Sequence, residues 1–100
     1  MAKKGLWRSP RVAIRIIERQ RLFVVQGGRC AYCGEDLELN NITFDHVWPR
    51  SRQAPPDDQN LVLACPKCNR AKGRRDPQLF VKNCRPDAPI FKLHPELRQN

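Results

Sequence analysis

One hundred residues with 40% apolar side chains make one small domain and exclude a disordered chain. The longest apolar runs, Leu22-Phe23-Val24-Val25 and Leu61 to Cys65, fall far short of the ~20 residues a membrane span needs. A net charge of +9 and a pI near 10.0 call for a polyanionic partner, nucleic acid first, with a surface charged only for solubility as the plainer alternative.

In chain order, residues 1–8 read as a basic leader. No apolar segment follows Met1-Ala2-Lys3-Lys4, so no export signal is expected and the location is expected to be cytoplasmic. Ser9-Pro10 reads as an N-cap with proline at the first helical position. Val12, Ile16, Phe23, Ile17 and Val24 form one apolar stripe, so a helix is expected over about residues 10–25, closed by Gly27-Gly28. The other face carries Arg11, Arg15, Arg19 and Arg21. A solvated face accounts for these arginines as well as DNA contact does.

Cys30 to Gly34 reads as a tight turn. Leu37 and Leu39 suggest the start of a short strand, and Asn40-Asn41 a turn. Ile42-Thr43-Phe44 is strand-like and leads into Asp45-His46. Residues 49–59 are polar and proline-rich, hence a loop. Leu61 to Ala64 reads as a second strand. Pro66 opens a short helix expected over 66–75, and Asp76-Pro77 stops it. Residues 78–100 contain Pro86, Pro89 and Pro95. They are expected to wrap the surface with at most one short helix near 78–83. The fold class is α+β.

Four of the five cysteines fall in two pairs, Cys30-x-x-Cys33 and Cys65-x-x-Cys68. Two such knuckles separated by residues 34–64 read as one tetrahedral, tetrathiolate site for structural Zn²⁺. A disulfide framework fits less well, because it favours an even count and an export signal. A redox site needs only one pair. Cys84 stands alone and reads as a small, partly buried apolar residue. A closed zinc site does no chemistry, but it staples a chain too short to bury a large core.

Asp45 and His46 pose a different question. Neighbours in a strand point to opposite faces, so these two meet at one site only where the strand ends and bends. Phosphodiester cleavage needs a base for water and a divalent cation on the scissile phosphate, held by few oxygen ligands. His46 has the side chain for the base. Asp45 offers one hard oxygen, and Asn69 a second from the helix after the knuckle. Asn60 is placed either to orient His46 or to fix the loop. Lys72, three residues beyond Asn69, is expected to meet phosphate, as are Arg50, Arg52 and Arg70 in the basic clusters. Singly, each of these has an ordinary reading as a turn, surface or solvated residue. Their joint spacing around the knuckles is what signals chemistry.

The stretches GGRCAYCG, FDHVWPRS and NLVLACPKCNRAKG together resemble the HNH endonucleases, in the four-cysteine subgroup with a ββα-metal core. The resemblance covers about residues 27–75. It implies a small ββα-metal finger, with the N-terminal helix and a C-terminal extension at 76–100 outside it. It also implies a helix laid against the minor-groove side of bent DNA. By position, His46 matches the general base and Asp45 and Asn69 the ligands of a catalytic cation such as Mg²⁺ or Mn²⁺. Asn60 matches the supporting middle residue, and Cys30, Cys33, Cys65 and Cys68 match the zinc ligands. One departure stands out: residues 53–58 replace a glycine pair that many relatives carry in this loop. Small members of this shape occur in phage and prophage genomes, some alongside DNA-packaging proteins, which suggests that setting and those partners. The oligomeric state is open.

The expected function is therefore metal-dependent DNA endonuclease, acting on DNA and not on membranes. Two alternatives remain: a non-catalytic zinc module that binds nucleic acid, and a zinc-stapled protein adaptor. The first leaves the Asp45, His46, Asn60 and Asn69 pattern unexplained. The second leaves the charge unexplained as well.

Overall fold

A computed structural model describes residues 10–51 and 53–98. The expected N-cap at Ser9 and the expected DNA contact at Arg52 lie outside them. The first element is helix α1, Pro10–Val25. It ends where two glycines take left-handed φ values, +66° at Gly27 and +71° at Gly28. Gly28 donates to the Phe23 carbonyl and Gly27 to that of Val24, the paired bonds that satisfy the orphan carbonyls of a helix end. A side chain at residue 28 would also meet the Phe23 ring 3.2 Å away.

Gln26 follows the helix and is buried. Its side chain accepts from the Leu63 amide at 2.9 Å and donates to the Leu63 carbonyl at 3.0 Å. The free edge of a strand is thereby closed with a side-chain amide acting as a strand segment. Leu37 and Leu39 do not form a strand. Among the described residues, the pairing there is an isolated bridge between Arg29 and Asp36.

Strand β1, Thr43–His46, pairs antiparallel with β2, Leu61–Ala64. The register sets Thr43 opposite Ala64 and His46 opposite Leu61. Between the strands lies a loop that ends in a short helix, α2, Asp57–Asn60. Helix α3, Pro66–Lys72, follows β2 with proline in its first turn. It is shorter than the expected span to residue 75, because Gly73 takes φ +51° and ends it. The chain thus forms two strands and a helix, the ββα unit expected, with α1 laid beside it. Among the described residues, no helix is long and apolar enough to cross a membrane.

The C-terminal segment departs from expectation. Instead of a surface wrap with one helix, it folds into α4 (Pro77–Phe80), α5 (Pro89–Leu93) and two 3₁₀ turns at Val81–Asn83 and Pro95–Leu97. It also supplies core: Val81, Ile90, Phe91 and Leu97 are buried beside Leu22, Tyr32, Val62 and Leu63. Burial of one such side chain contributes about 1.5–3 kcal/mol. The Ile90 amide donates to the Ala31 carbonyl at 2.8 Å, so this segment is bolted to the first knuckle.

Candidate active site and metal centre

The two knuckles meet. The Sγ atoms of Cys30, Cys33, Cys65 and Cys68 all lie within 4.8 Å of one another. Tetrahedral zinc with bonds of about 2.3 Å needs sulfurs roughly 3.8 Å apart, so a small contraction closes the shell. Backbone amides already point at the sulfurs. Tyr32 and Cys65 donate to Cys30 Sγ, and Cys68 donates to Cys65 Sγ, each at 3.4 Å. Burial, then the charge of Cys30, drives the Cys68 thiol well above its usual range, and burial raises Cys33 as well. Burial also pulls on Cys65, but the Cys68 amide and neighbouring thiols outweigh it and leave that thiol lowered. Four thiolates in one place therefore require a cation. Cys84 stands outside the cluster. Burial pushes its thiol up to about 11, which keeps it neutral, as its reading as an apolar filler requires.

Strand β1 distributes the remaining candidates on two sides by alternation. Thr43 and Asp45 face α3. Asn69 donates from Nδ2 to Thr43 Oγ1 at 2.8 Å and to the Phe44 carbonyl at 3.3 Å. One helical turn on, Lys72 Nζ lies 3.2 Å from Asp45 Oδ2 and donates to the His46 carbonyl at 2.7 Å. Asp45 is 6% exposed and Lys72 0%. The expectation that Lys72 meets phosphate is therefore corrected: the β1–α3 seam has closed over its ammonium. The Tyr32 hydroxyl also donates to Asp45 Oδ2, at 2.5 Å.

Phe44 and His46 face the other way. The Arg15 guanidinium stacks 4.9 Å over the Phe44 ring. His46 Nε2 lies 3.1 Å from Asp57 Oδ1, and Arg15 lies 4.0 Å from Asp57 Oδ2. The His46 side chain is 21% exposed. Arg50 and Arg70 are exposed.

Asn60 resolves between its two readings. Its Oδ1 accepts from the Trp48 amide at 2.8 Å, and its Nδ2 donates to the Trp48 carbonyl at 2.9 Å. Its own carbonyl accepts from Val47. The recorded bonds run to the loop after β1 and not to the imidazole. Asn60→Ala is expected to lower stability by at least about 2 kcal/mol, because two backbone groups lose their partners in a buried place. Denaturant midpoints of the two proteins measure it.

Asp45, Asn69 and Lys72 thus gather on one side of the end of β1, with His46 on the other. Tyr32 and Asp57 join them, and neither stood out in the sequence. Tyr32 was a spacer between two cysteines, and Asp57 one of two acids in a polar loop.

A two-strand, one-helix unit clasped by four cysteines, with Asp-His closing the first strand, defines a zinc-knuckle nuclease-type finger. Residues 30–75 match the family described as HNH endonuclease. The chain is 37% identical over 59 residues to the CRISPR-associated endonuclease Cas9 of Corynebacterium diphtheriae, with 58% of this chain covered. It is 35% identical over 66 residues to the protein of the same name from Listeria innocua, with 63% covered. The matched part is 5% of each relative's length. The crystal structure of the Type II-C Cas9 enzyme from Actinomyces naeslundii superposes with a TM-score of 0.51 at 23% identity, over 81% of this chain and 10% of that one. That likeness is one of fold.

Proposed function

We propose that the chain is a metal-dependent DNA endonuclease. The observation that carries this reading is the junction at the end of β1, where a segment matching the HNH family brings Asp45 and Asn69 to one seam and holds a part-exposed imidazole on the opposite side of the same strand end. In this reading His46 takes a proton from water. With Nε2–H donating to Asp57 Oδ1, the lone pair for that proton lies on Nδ1. Asp57 thereby holds the ring by one nitrogen, and Arg15 steadies Asp57.

The recorded hydrogen bonds of Asp45 all fall on Oδ2 and those of the Asn69 side chain on Nδ2. Among the described residues, both Oδ1 atoms remain without a partner, and two hard oxygens suit Mg²⁺ or Mn²⁺. A divalent cation held there would neutralise charge on the scissile phosphate and on the departing 3′ oxygen. The four-cysteine cluster suits Zn²⁺ by donor type and spacing. The exposed Arg50 and Arg70, with Arg52, are the proposed phosphate contacts, so binding is expected to weaken steeply with salt. The core of the domain is proposed to span residues 27–75. A phage setting draws no support from the relatives found.

A plasmid assay tests the reading. Supercoiled DNA with Mg²⁺ or Mn²⁺ should be nicked by the wild type and at least about 100-fold more slowly by His46→Ala. Equal rates for the two proteins would remove His46 as the base. The ammonium lodged on Asp45 favours a second reading, a nucleic-acid-binding module without catalysis. That reading stands if the wild type cuts under no divalent cation yet binds DNA.

A further inference from the structure

Tyr32 lies inside the first knuckle, between Cys30 and Cys33, and is 1% exposed. Its amide donates to Cys30 Sγ. Its ring packs edge-on against Phe80, with centroids 5.2 Å apart, which fixes the direction of the phenol. The hydroxyl ends on Asp45 Oδ2. One residue thus touches the four-cysteine cluster at its backbone and the buried carboxylate at its tip. Removing only the oxygen would cost the packing little, so the hydroxyl needs a reason of its own. A buried hydroxyl must find a partner, but many acceptors would satisfy it. Here the partner is the one carboxylate in the seam, already shared with Lys72.

We propose that Tyr32 is a positioning residue that ties the order of the four-cysteine cluster to cation binding at Asp45. The phenol holds Oδ2, so the carboxylate keeps one orientation and leaves Oδ1 to the cation. Without the hydroxyl, Lys72 is the remaining recorded partner of Oδ2. The carboxylate is then free to turn, and either oxygen can settle on the ammonium. The inference rests on the proposed role of Asp45 as a cation ligand. Hydrogen-bond partners of metal ligands typically govern affinity by 10–100-fold.

Tyr32 is the single tyrosine of the chain, so the Cζ carbon of tyrosine-labelled, zinc-loaded full-length protein gives one NMR line. Mg²⁺ titrated into the wild type should move this line until the site saturates, and should not move it in Asp45→Asn. Calorimetry with Mn²⁺ should show Tyr32→Phe binding about ten- to a hundred-fold more weakly than wild type, with its zinc content unchanged. The Mn²⁺ concentration for half-maximal nicking should rise by the same factor, while the rate at saturation stays within a few-fold. If Asp45→Asn abolishes cation binding but the wild-type line stays still, or Tyr32→Phe binds Mn²⁺ within two-fold of wild type, the coupling is wrong and the cation site stands. If Asp45→Asn binds the cation as well as wild type, the cation site itself is wrong and the coupling goes with it. Should Tyr32→Phe fail to fold, the wild-type titration alone decides.

Discussion

Removing the metal from the four-cysteine cluster is expected to unfold the domain, not merely to slow it. The cluster lies among buried residues: Cys30, Ala31 and Tyr32 are all core. The first knuckle is bonded on both sides, from the Ala31 amide to the Leu63 carbonyl and from the Ile90 amide to the Ala31 carbonyl. Loosening it therefore detaches β2 and α5 together. Structural zinc contributes about 10–16 kcal/mol in small zinc domains, and a whole domain is stable by only about 5–15 kcal/mol. Far-UV circular dichroism after stoichiometric chelation, and of Cys65→Ser, should show loss of helix. Retained helical signal with the zinc gone would reject the staple. Acid should act in the same direction. The thiols that burial raises, Cys33 and Cys68, bind protons avidly without the metal but none with it. The metal-free state therefore takes up more protons, and stability falls as pH falls.

The site's polar motif was legible from sequence because its residue types have few other uses at that spacing. Two Cys-x-x-Cys pairs specify a metal corner, and Asp-His before a proline specifies a strand end. What stayed hidden depended on where side chains point after packing. Lys72 read as a surface charge because it sits in a basic run, and only the docking of α3 on β1 buries it. Tyr32 carried no reading of its own, because knuckle geometry, not spacing, aims its phenol at Asp45. Gln26 gave no signal at all, since a side chain that mimics a strand depends on the strand beside it. The C-terminal prolines misled for a simpler reason. Pro77, Pro89 and Pro95 each sit in the first turn of a helical segment, where a missing N–H costs nothing. They start helices there, and the apolar residues between them reach the core.

Lys72→Ala is expected to be the most damaging substitution outside the cysteines. The ammonium is fully buried and serves two acceptors, the Asp45 carboxylate and the His46 carbonyl. Its loss strands a charge in a place that is almost dry, with only the Tyr32 hydroxyl left on Oδ2. Breaking a buried pair by removing one partner costs about 3–5 kcal/mol. In a domain of this size that is a fall of roughly 15–30 °C in melting temperature, readable by thermal circular dichroism on zinc-loaded protein. Lys72→Met separates the causes. It keeps an apolar stem in the seam, so the part of the loss that remains reports the charge. Adding Asp45→Asn to Lys72→Met removes the stranded charge and should recover much of the stability, which makes the two substitutions non-additive. Strict additivity, or a melting temperature for Lys72→Ala within a few degrees of wild type, would mean that the pair does not hold the seam together. In that case the ammonium is free to leave, and Asp45 is open to a cation at little expense to the fold. A large loss means the opposite: the lysine is part of the scaffold, and a cation must bind at the oxygen it leaves unoccupied.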